Sequence, residues 1–385
     1  MAHCIYCRTD KDDSEFTLEH VIPQFLGGAH SPDFLKTRDV CKNCNSNLGL
    51  FVDASFEKNW VVSNWLRETS SALYNSDKPV GVSLICMGNS DLSPPELPDD
   101  HVCELWLGPL GEQVFWLRPH DERMSAYVGG NPRTMKSVET RAYFLFSENS
   151  HTDPLKTWLS FEQAFQGRKV KKIMCTEIDG ADPADIGFTQ ADEIDRSRIK
   201  FFHDNSHGTS ERSVQVVVNS RFDQRFLCKL AIGVAYCLFG SKVLDTDYGK
   251  ELHKGLWYRG DNEEPNVRGT ALFSHPKDRD INSIVGFPNA VAIALISTPD
   301  GIAINLNISS QLNWTILCAP IDTLTHQDLA KIGDGQIIVL ARPLQTGIHL
   351  ELPAYLAHSL GATPHPQLNA IQERAEKNKS AISPP

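Results

Sequence analysis

The sequence predicts an α+β protein in which a small cysteine-built N-terminal unit precedes a larger mixed α/β region. Two Cys-x-x-Cys pairs lie near the start, Cys4-Ile-Tyr-Cys7 and Cys41-Lys-Asn-Cys44. Short runs of alternating apolar and polar residues, typical of strands, recur from residue 102 onwards. Residues 221–239 are apolar over most of a helical circumference, which predicts a buried helix between the two strand-rich stretches.

The two cysteine pairs predict one structural zinc site. Two Cys-x-x-Cys knuckles present four thiolates, enough for a closed tetrahedral Zn²⁺ shell. We therefore expect Cys4, Cys7, Cys41 and Cys44 to bind one Zn²⁺. A closed shell leaves no open position, so this metal would fix the segment between the knuckles without taking part in chemistry.

The segment between the knuckles carries an acidic residue and a histidine, in the run Glu19-His20-Val21-Ile22-Pro23. Adjacent residues of a flat strand face opposite sides, so Glu19 and His20 could not both reach one ligand from such a strand. If both side chains act on one ligand, as the family resemblance described next implies, a strand end or a β-bulge is expected at this pair. Pro23 fits a strand that stops.

Taken together, this pattern resembles the HNH endonuclease family, whose fold is a ββα unit that holds a catalytic metal. The matching residues are Cys4, Cys7, Glu19-His20-Val21-Ile22-Pro23, Leu26-Gly27-Gly28, Cys41, Cys44, Asn45 and Gly49. The resemblance covers residues 1–58, about a seventh of the 385-residue chain. The order and spacing of the knuckles and the histidine make it specific.

The resemblance implies a role for each residue of a catalytic centre. His20 would be the general base that deprotonates water, and Glu19 and Asn45 would bind Mg²⁺ or Mn²⁺. An oxygen-only shell of this kind suits Mg²⁺ better than zinc. The asparagine that supports the base in the family has no counterpart here, because Lys36 or Thr37 stands near its place.

Each of these residues also has a structural interpretation. His20 could be a structural histidine or an additional zinc ligand, Glu19 a surface carboxylate, and Asn45 the N-cap of a helix that begins near Cys44. Two further side chains, Asn47 and Asp53, are lesser metal-ligand candidates. Trp106, Trp116 and Trp158 could stack on bases, but core packing is the favoured interpretation.

The formal net charge of −11 argues against loose, non-specific binding of nucleic acid. Residues 1–58 hold six Lys and Arg against nine Asp and Glu. Affinity for phosphate would then depend on local basic groups or on bound cations. The candidate nucleic-acid-binding residues are Arg38, Lys42, Arg168, Lys169, Lys171 and Lys172. For the stretch 168–172, a solvated helix end or strand entry is the favoured interpretation, and the basic wall of a DNA channel is the alternative.

The composition is that of an ordinary globular chain. It has no apolar run of about 18 residues and no visible signal peptide, so we expect a cytoplasmic protein without a membrane partner. The cysteines outside the knuckles follow no pattern, and we expect free, mostly buried thiols. They are Cys86, Cys103, Cys175, Cys228, Cys237 and Cys318.

The chain is predicted to divide into three regions. Residues 1–58 form the HNH unit, 59–98 a helical connector and linker, and 99–385 an α+β recognition or regulatory region whose tail is disordered from about residue 372. Predicted helices cover 56–74, 160–165, 221–239 and 247–256. Predicted strands cover 102–107, 113–117, 142–146, 171–178, 290–296, 302–308, 314–318, 336–340 and 347–350.

Two functional hypotheses follow. The first is a metal-dependent endonuclease with nucleic acid, DNA by expectation, as its substrate. The second is a zinc-built module that binds nucleic acid or protein and whose nuclease site is degenerate or regulated. The presence of Glu19, His20 and Asn45 together favours the nuclease. Substrate sequence, oligomeric state and any partner protein are not encoded in these motifs, and a role in bacterial defence is a fold-level analogy.

Overall fold

A computed structural model describes residues 1–74, 84–152, 154–165, 167–176, 184, 187–206, 213–260, 263–270 and 284–382. The chain forms two compact units. The first contains residues 1–57 and 219–380, and the second residues 58–218 together with the last five residues. The N-terminal segment therefore belongs to the same unit as most of the C-terminal half. The assignment of residues 1–58 as the HNH unit and of residues 99–385 as a recognition or regulatory region stays a prediction.

The N-terminal segment has a ββα arrangement. Its elements are β1 (Ala2–His3), β2 (Asp10–Lys11), β3 (Phe16–His20), β4 (Lys36–Cys41), α1 (Lys42–Leu48) and α2 (Ala54–Glu57), with one π-helical turn at Gly49–Asp53. Strands β3 and β4 pair antiparallel, and β4 runs directly into α1. This order confirms the predicted ββα unit.

The middle of the chain supplies the second unit. Its elements are α3 (Trp60–Ala72), β5 (Ile85–Ser90), β6 (His101–Leu107), β7 (Gln113–Pro119), α4 (Thr134–Ser137), β8 (Thr140–Leu145), α5 (Pro154–Gln163), β9 (Val170–Met174), α6 (Glu193–Ser206) and β10 (Val214–Gln215). The strands form one sheet in the order β10-β5-β6-β7-β8-β9, in which only the β8–β9 pair is parallel.

Alternating residues of this sheet pack into two hydrophobic cores, one on each face, as expected for a sheet that is covered on both faces. One face carries Trp106, Trp116 and Phe144, and Phe161 of α5 meets Phe144 edge-on at 4.9 Å. The other face carries Phe115, which stacks on Phe202 of α6 at 4.5 Å between ring centroids. Trp106 and Trp116 are thus core residues, which is the favoured sequence interpretation.

The C-terminal part completes the first unit. Its elements are α7 (Ser220–Phe239), α8 (Asp247–Trp257), β11 (Gly269–Thr270), β12 (Val291–Thr298), β13 (Gly301–Ile308), β14 (Leu312–Pro320), α9 (His326–Ile332), β15 (Gln336–Ala341), β16 (Thr346–Glu351), α10 (Leu352–Ser359) and α11 (Pro366–Ile382). The strands form an antiparallel sheet in the order β11-β14-β13-β12-β15-β16.

Helix α7 joins the N-terminal segment to this sheet. Phe226 of α7 stacks on Phe56 of α2 at 4.0 Å, and Phe56 meets Trp314 of β14 edge-on at 5.0 Å. The Trp314 indole also donates a hydrogen bond to Asp223 of α7 at 3.1 Å. All three aromatic side chains are fully buried. The ββα segment is therefore anchored in a core that it shares with α7 and β14.

Several sequence predictions can be compared with these elements. Helices α7 and α8 are confirmed, as are the C-terminal strands to within a few residues. The disordered tail was wrong as far as residue 382, because residues 366–382 form α11 and bury Leu368, Ile371 and Ala375. Residues 177–178 of one predicted strand lie outside the described residues. In the described parts of the chain, no helix has the length and apolarity to cross a membrane.

Candidate metal centre and active-site cleft

The four knuckle cysteines converge on one point. Their Sγ atoms all lie within 4.8 Å of one another, and the Sγ atoms of Cys7 and Cys41 are 4.0 Å apart. A tetrahedral shell with Zn–S bonds of about 2.3 Å places its sulfurs about 3.8 Å apart. The donor set and its spacing therefore fit a structural zinc ion. His20 is not a member of this cluster, so the structure does not make it an additional zinc ligand.

Helix α8 holds the first knuckle in place. The two ring nitrogens of His253 lie 2.8 Å from the Gly249 carbonyl oxygen and 2.7 Å from the Ile5 carbonyl oxygen. The Trp257 indole donates to the carbonyl oxygen of Tyr6 at 3.1 Å. Two consecutive carbonyls between Cys4 and Cys7 thus accept hydrogen bonds from α8. The knuckle depends on a helix more than 240 residues further along the chain.

The expected irregularity occurs in strand β3. Its register against β4 shifts between Thr17 and Glu19, and the strand ends at His20. Glu19 is buried, with 4% of its surface exposed, whereas His20 is half-buried. The bulge and the strand end together let both side chains line a single cleft.

Glu19 belongs to a buried ionic cluster. The Lys229 ammonium of α7 lies 3.0 Å from Glu19 Oε1 and 2.6 Å from Asp53 Oδ2. The side chains of Glu19 and Lys229 are 4% and 3% exposed. Asp53 ends the π-helical turn after α1 and contributes the second carboxylate. Glu19 is therefore buried and is not a surface carboxylate. Its charge is paired with that of Lys229, as a buried charge requires.

The environment shifts the ionisation of all three groups. Burial raises the pKa of Glu19 and of Asp53, and in both cases the Lys229 charge opposes this shift. Burial alone would lower the pKa of Lys229, but Asp53 and Glu19 outweigh it and raise that pKa. The lysine is thus held as a cation. Two carboxylates against one ammonium leave the cluster with excess negative charge.

Asn45 lies in α1 and lines the same cleft. Its Nδ2 donates to the carbonyl oxygen of Leu18 at 3.1 Å, which ties α1 to the strand one residue before Glu19. Asn45 is not the N-cap of α1, since the Cys41 side chain accepts the capping bond from the Cys44 amide. The other asparagine candidate, Asn47, is bonded to Asn43 instead.

The cleft has a volume of about 610 Å³ and belongs wholly to the first unit. Its charged and polar lining residues are Glu19, His20, Gln24, Asn45, Asp53, Glu57, Lys229 and Arg342. The structure therefore brings all three predicted catalytic residues to one cavity.

His20 faces the cleft without an orienting partner among the described residues. Burial, and then the positive charge of Lys36, lowers its pKa below that of an ordinary imidazole. Lys36 itself pairs with Asp33 at 2.7 Å, and the Thr37 hydroxyl bonds to Asp39 at 3.0 Å. Neither residue supplies the base-orienting contact that the sequence left in doubt.

The predicted nucleic-acid-binding residues fall into two groups. Arg38 and Lys42 are exposed on β4 and at the start of α1, but they do not line the cleft. Arg168, Lys169, Lys171 and Lys172 lie in the second unit.

Most of the second group makes contacts within its own unit. Arg168 lies 4.8 Å from the ring centroid of Trp116, and Lys171 pairs with Asp192 and Asp195 at 3.0 and 2.7 Å. The Lys172 ammonium donates to the carbonyl oxygen of Phe161 at 2.6 Å. These contacts favour a structural role for the stretch 168–172 over a role as the wall of a nucleic-acid channel.

Sequence reasoning missed Lys229 and Arg342. A signal for Lys229 was present, because it is the only charged residue between Phe226 and Phe239. A lysine within a buried apolar helix is rarely left without a partner. Arg342 carried no such signal, since it simply follows the last residue of β15.

The N-terminal segment matches a known protein family. Residues 4–61 match the HNH endonuclease family, a match that spans both knuckles, the Glu19–His20 pair and Asn45. With the ββα fold and the cysteine cluster, this identifies an HNH domain at the start of the chain. No curated protein and no solved structure matches the chain. The HNH domain indicates a nuclease.

Proposed function

We propose that the protein is a metal-dependent endonuclease that hydrolyses phosphodiester bonds in nucleic acid, with DNA as the expected substrate. The observation that carries this proposal is the convergence of Glu19, His20 and Asn45 on one open cleft of about 610 Å³. Two of them sit at a strand end and the third on the following helix, within a segment that matches the HNH family.

The residues of the cleft fit a divalent cation. Asp53 Oδ1 is buried and has no hydrogen-bond partner among the described residues, while Asp53 Oδ2 is paired with Lys229. Glu19 and Asn45 supply further oxygen donors to the same cleft. We propose that these three residues hold Mg²⁺ or Mn²⁺, which prefer oxygen ligands. When bound, the cation neutralises charge on the phosphate and on the leaving oxygen.

His20 would act as the general base. A base must be neutral to accept a proton, and burial together with the Lys36 charge lowers the pKa of His20 and keeps it neutral at physiological pH. The ring faces the cleft, where it can take a proton from water that attacks the phosphorus. The leaving 3′ or 5′ oxygen then departs on the opposite side of the phosphorus.

The test is cleavage of supercoiled plasmid and of single-stranded DNA and RNA by purified protein, with and without Mg²⁺ or Mn²⁺. We expect cleavage only with the divalent cation. His20→Ala should lower the rate by about 10²–10⁴-fold, the usual effect of removing a general base. The control His30→Ala removes a half-buried histidine of the same segment that does not line the cleft, and it should cleave normally.

One observation favours the alternative of a regulated or degenerate module. Glu19, the expected metal ligand, is engaged by Lys229 at 3.0 Å. If the native protein cleaves no substrate with any divalent cation, this alternative becomes the better account. Defence against foreign DNA would suit an HNH domain fused to a larger region, an analogy at fold level only. Cleavage of a foreign plasmid in cells would test that role.

A further inference from the structure

Only two cationic side chains of the described residues line the cleft, Lys229 and Arg342. Lys229 is occupied, since it is buried between the carboxylates of Glu19 and Asp53. Arg342 is exposed, and its guanidinium has no hydrogen bond or ion pair with any described residue, although its backbone carbonyl accepts from the Gln345 amide. It is therefore the cationic group of this lining that can take an external anion.

The position of Arg342 is fixed by its neighbours. It directly follows β15, whose last five residues are all buried, and so it is the point at which that strand reaches the surface. The backbone of Gly27 lies against it. A Cβ atom at Gly27 would be 3.1 Å from Cβ of Leu340 and 3.7 Å from Cβ of Arg342. Gly27 also has a φ of +95°, a conformation that L side chains rarely adopt.

A second close approach fixes the neighbouring strand. A Cβ atom at Gly347 of β16 would lie 1.9 Å from the carbonyl oxygen of His30. The Phe34 ring also contacts His349 of β16, with centroids 5.2 Å apart. The loop that follows His20 is thus packed against both sides of the β15–β16 connection. This packing holds the Arg342 backbone beside the cleft.

The electrostatics of the cleft require such a group. Glu19, Asp53 and Glu57 line it with three carboxylates, and Lys229 compensates one of them. This surplus of two negative charges would repel a phosphodiester, and a bound divalent cation would only bring the lining to neutrality, so Arg342 supplies the net positive charge that attracts the phosphate. A guanidinium can donate two parallel hydrogen bonds to phosphate oxygens, which positions a phosphate as well as attracting it.

We propose that Arg342 is a substrate-binding residue that holds a backbone phosphate of the nucleic acid in the cleft beside His20. This inference rests on the proposed function, because it assigns the substrate contact of the same site. It places a substrate-binding group about 280 residues beyond the end of the HNH match. The HNH segment would then supply the reacting groups, and the C-terminal sheet would supply a contact to the substrate.

Binding and cleavage must be measured separately. In a His20→Ala background, we would measure the fluorescence anisotropy of a short labelled DNA duplex and of a labelled single-stranded RNA at several salt concentrations. Arg342→Gln should weaken binding about tenfold, and should reduce the slope of log K against log salt by about 0.9, the loss of one phosphate contact on a duplex. Arg342→Lys should keep the slope and recover only part of the affinity, because it keeps the charge but not the bidentate geometry.

The matched control is Arg259→Gln, which removes another exposed arginine of the first unit that does not line the cleft. It should leave affinity and salt slope unchanged. With His20 restored, Arg342→Gln should raise KM by more than it lowers kcat.

Unchanged affinity in Arg342→Gln, or an equal loss in Arg259→Gln, would overturn the inference, as would the absence of binding to both probes. The nuclease proposal fails independently, if the native protein binds through Arg342 but cleaves nothing. Conversely, a protein that cleaves normally and binds without Arg342 retains the nuclease function and loses only this inference.

Discussion

At the scale of single residues, the site depends on one lysine. Lys229 favours the ionised forms of two carboxylates, whereas their burial favours the neutral forms. Without it, Glu19 and Asp53 would be uncompensated buried charges. The contact with Lys229 also positions Glu19 Oε1. Lys229 thus serves both the fold and the arrangement of the proposed metal ligands.

Replacement of Lys229 should be costly for stability. We expect Lys229→Met to lower the free energy of unfolding by about 3–5 kcal/mol, because it leaves a buried pair without its partner. The control Lys242→Met breaks a half-exposed ion pair with Asp328, and should cost about 0–1 kcal/mol. Urea unfolding of both variants measures the difference. In a Lys229→Met background, Asp53→Asn should restore part of the lost free energy of unfolding. If the losses from the two substitutions add instead, the proposed ionic cluster is contradicted.

The ionisation of His20 gives a second residue-scale prediction. Its pKa is lowered, so it stays neutral, and able to act as a base, at lower pH than an ordinary imidazole. The acidic limb of the pH–rate profile should therefore lie below about pH 6.5. Lys36→Met removes the positive charge that disfavours the imidazolium, so the pKa should rise and the limb should move to higher pH. A limb that stays in place would show that Lys36 does not influence the base.

At the scale of elements, the zinc knuckles and helix α8 act together. The carbonyl oxygens of Ile5 and Tyr6 lie within hydrogen-bonding distance of His253 and Trp257, so a helix holds the first knuckle in addition to any metal that the cysteines bind. The second knuckle begins α1, with Cys41 as its N-cap. A zinc ion held by the four cysteines would therefore link the start of the ββα unit to α1, and α8 links that unit to the C-terminal part.

The loss of one zinc ligand should therefore destabilise residues beyond the knuckles. We expect one tightly bound Zn²⁺ per chain by elemental analysis, and we expect Cys41→Ser to lose it and to unfold the segment that it fixes. Because α8 contacts that segment, proteolysis should also become faster within residues 219–260. The control Cys237→Ser, at a cysteine outside the cluster, should keep its zinc. Well-folded native protein without zinc would contradict the prediction.

At the scale of the whole molecule, the HNH domain is part of a larger folded unit. Residues 1–57 form one compact unit with residues 219–380, and residues 58–218 form another. The chain thus leaves the first unit after α2 and returns to it at α7. Groups from both parts of the sequence line the cleft, with Lys229 and Arg342 from the second part.

The N-terminal segment alone should therefore be incomplete. A chain that ends at residue 61 keeps the four cysteines, Glu19, His20 and Asn45, but it loses α7, α8 and the C-terminal sheet. We expect it to bind zinc, to be rapidly digested by protease and to cleave no nucleic acid. Zinc content, limited proteolysis and plasmid cleavage measure the three properties. Full activity of this short chain would show that the C-terminal part is dispensable.

Much of the fold and part of the candidate site were determined by local sequence. The spacing of Cys4, Cys7, Cys41 and Cys44 predicted the metal cluster, since a tetrahedral shell needs four ligands from two tight turns. The Glu19–His20 pair predicted the bulge because of strand alternation. The apolar periodicity of residues 221–239 predicted α7.

Tertiary structure decided the rest, because contacts between residues far apart in the chain leave no local pattern. Only the folded chain brings Lys229 of α7 to Glu19, more than 200 residues earlier, or places Arg342 at the cleft. The tail was misjudged for the same reason, since α11 is weakly apolar in sequence yet continues to residue 382 and buries Ala375 within the predicted tail. The sequence thus determined the knuckles and the candidate catalytic residues, whereas long-range packing decided which charges surround them.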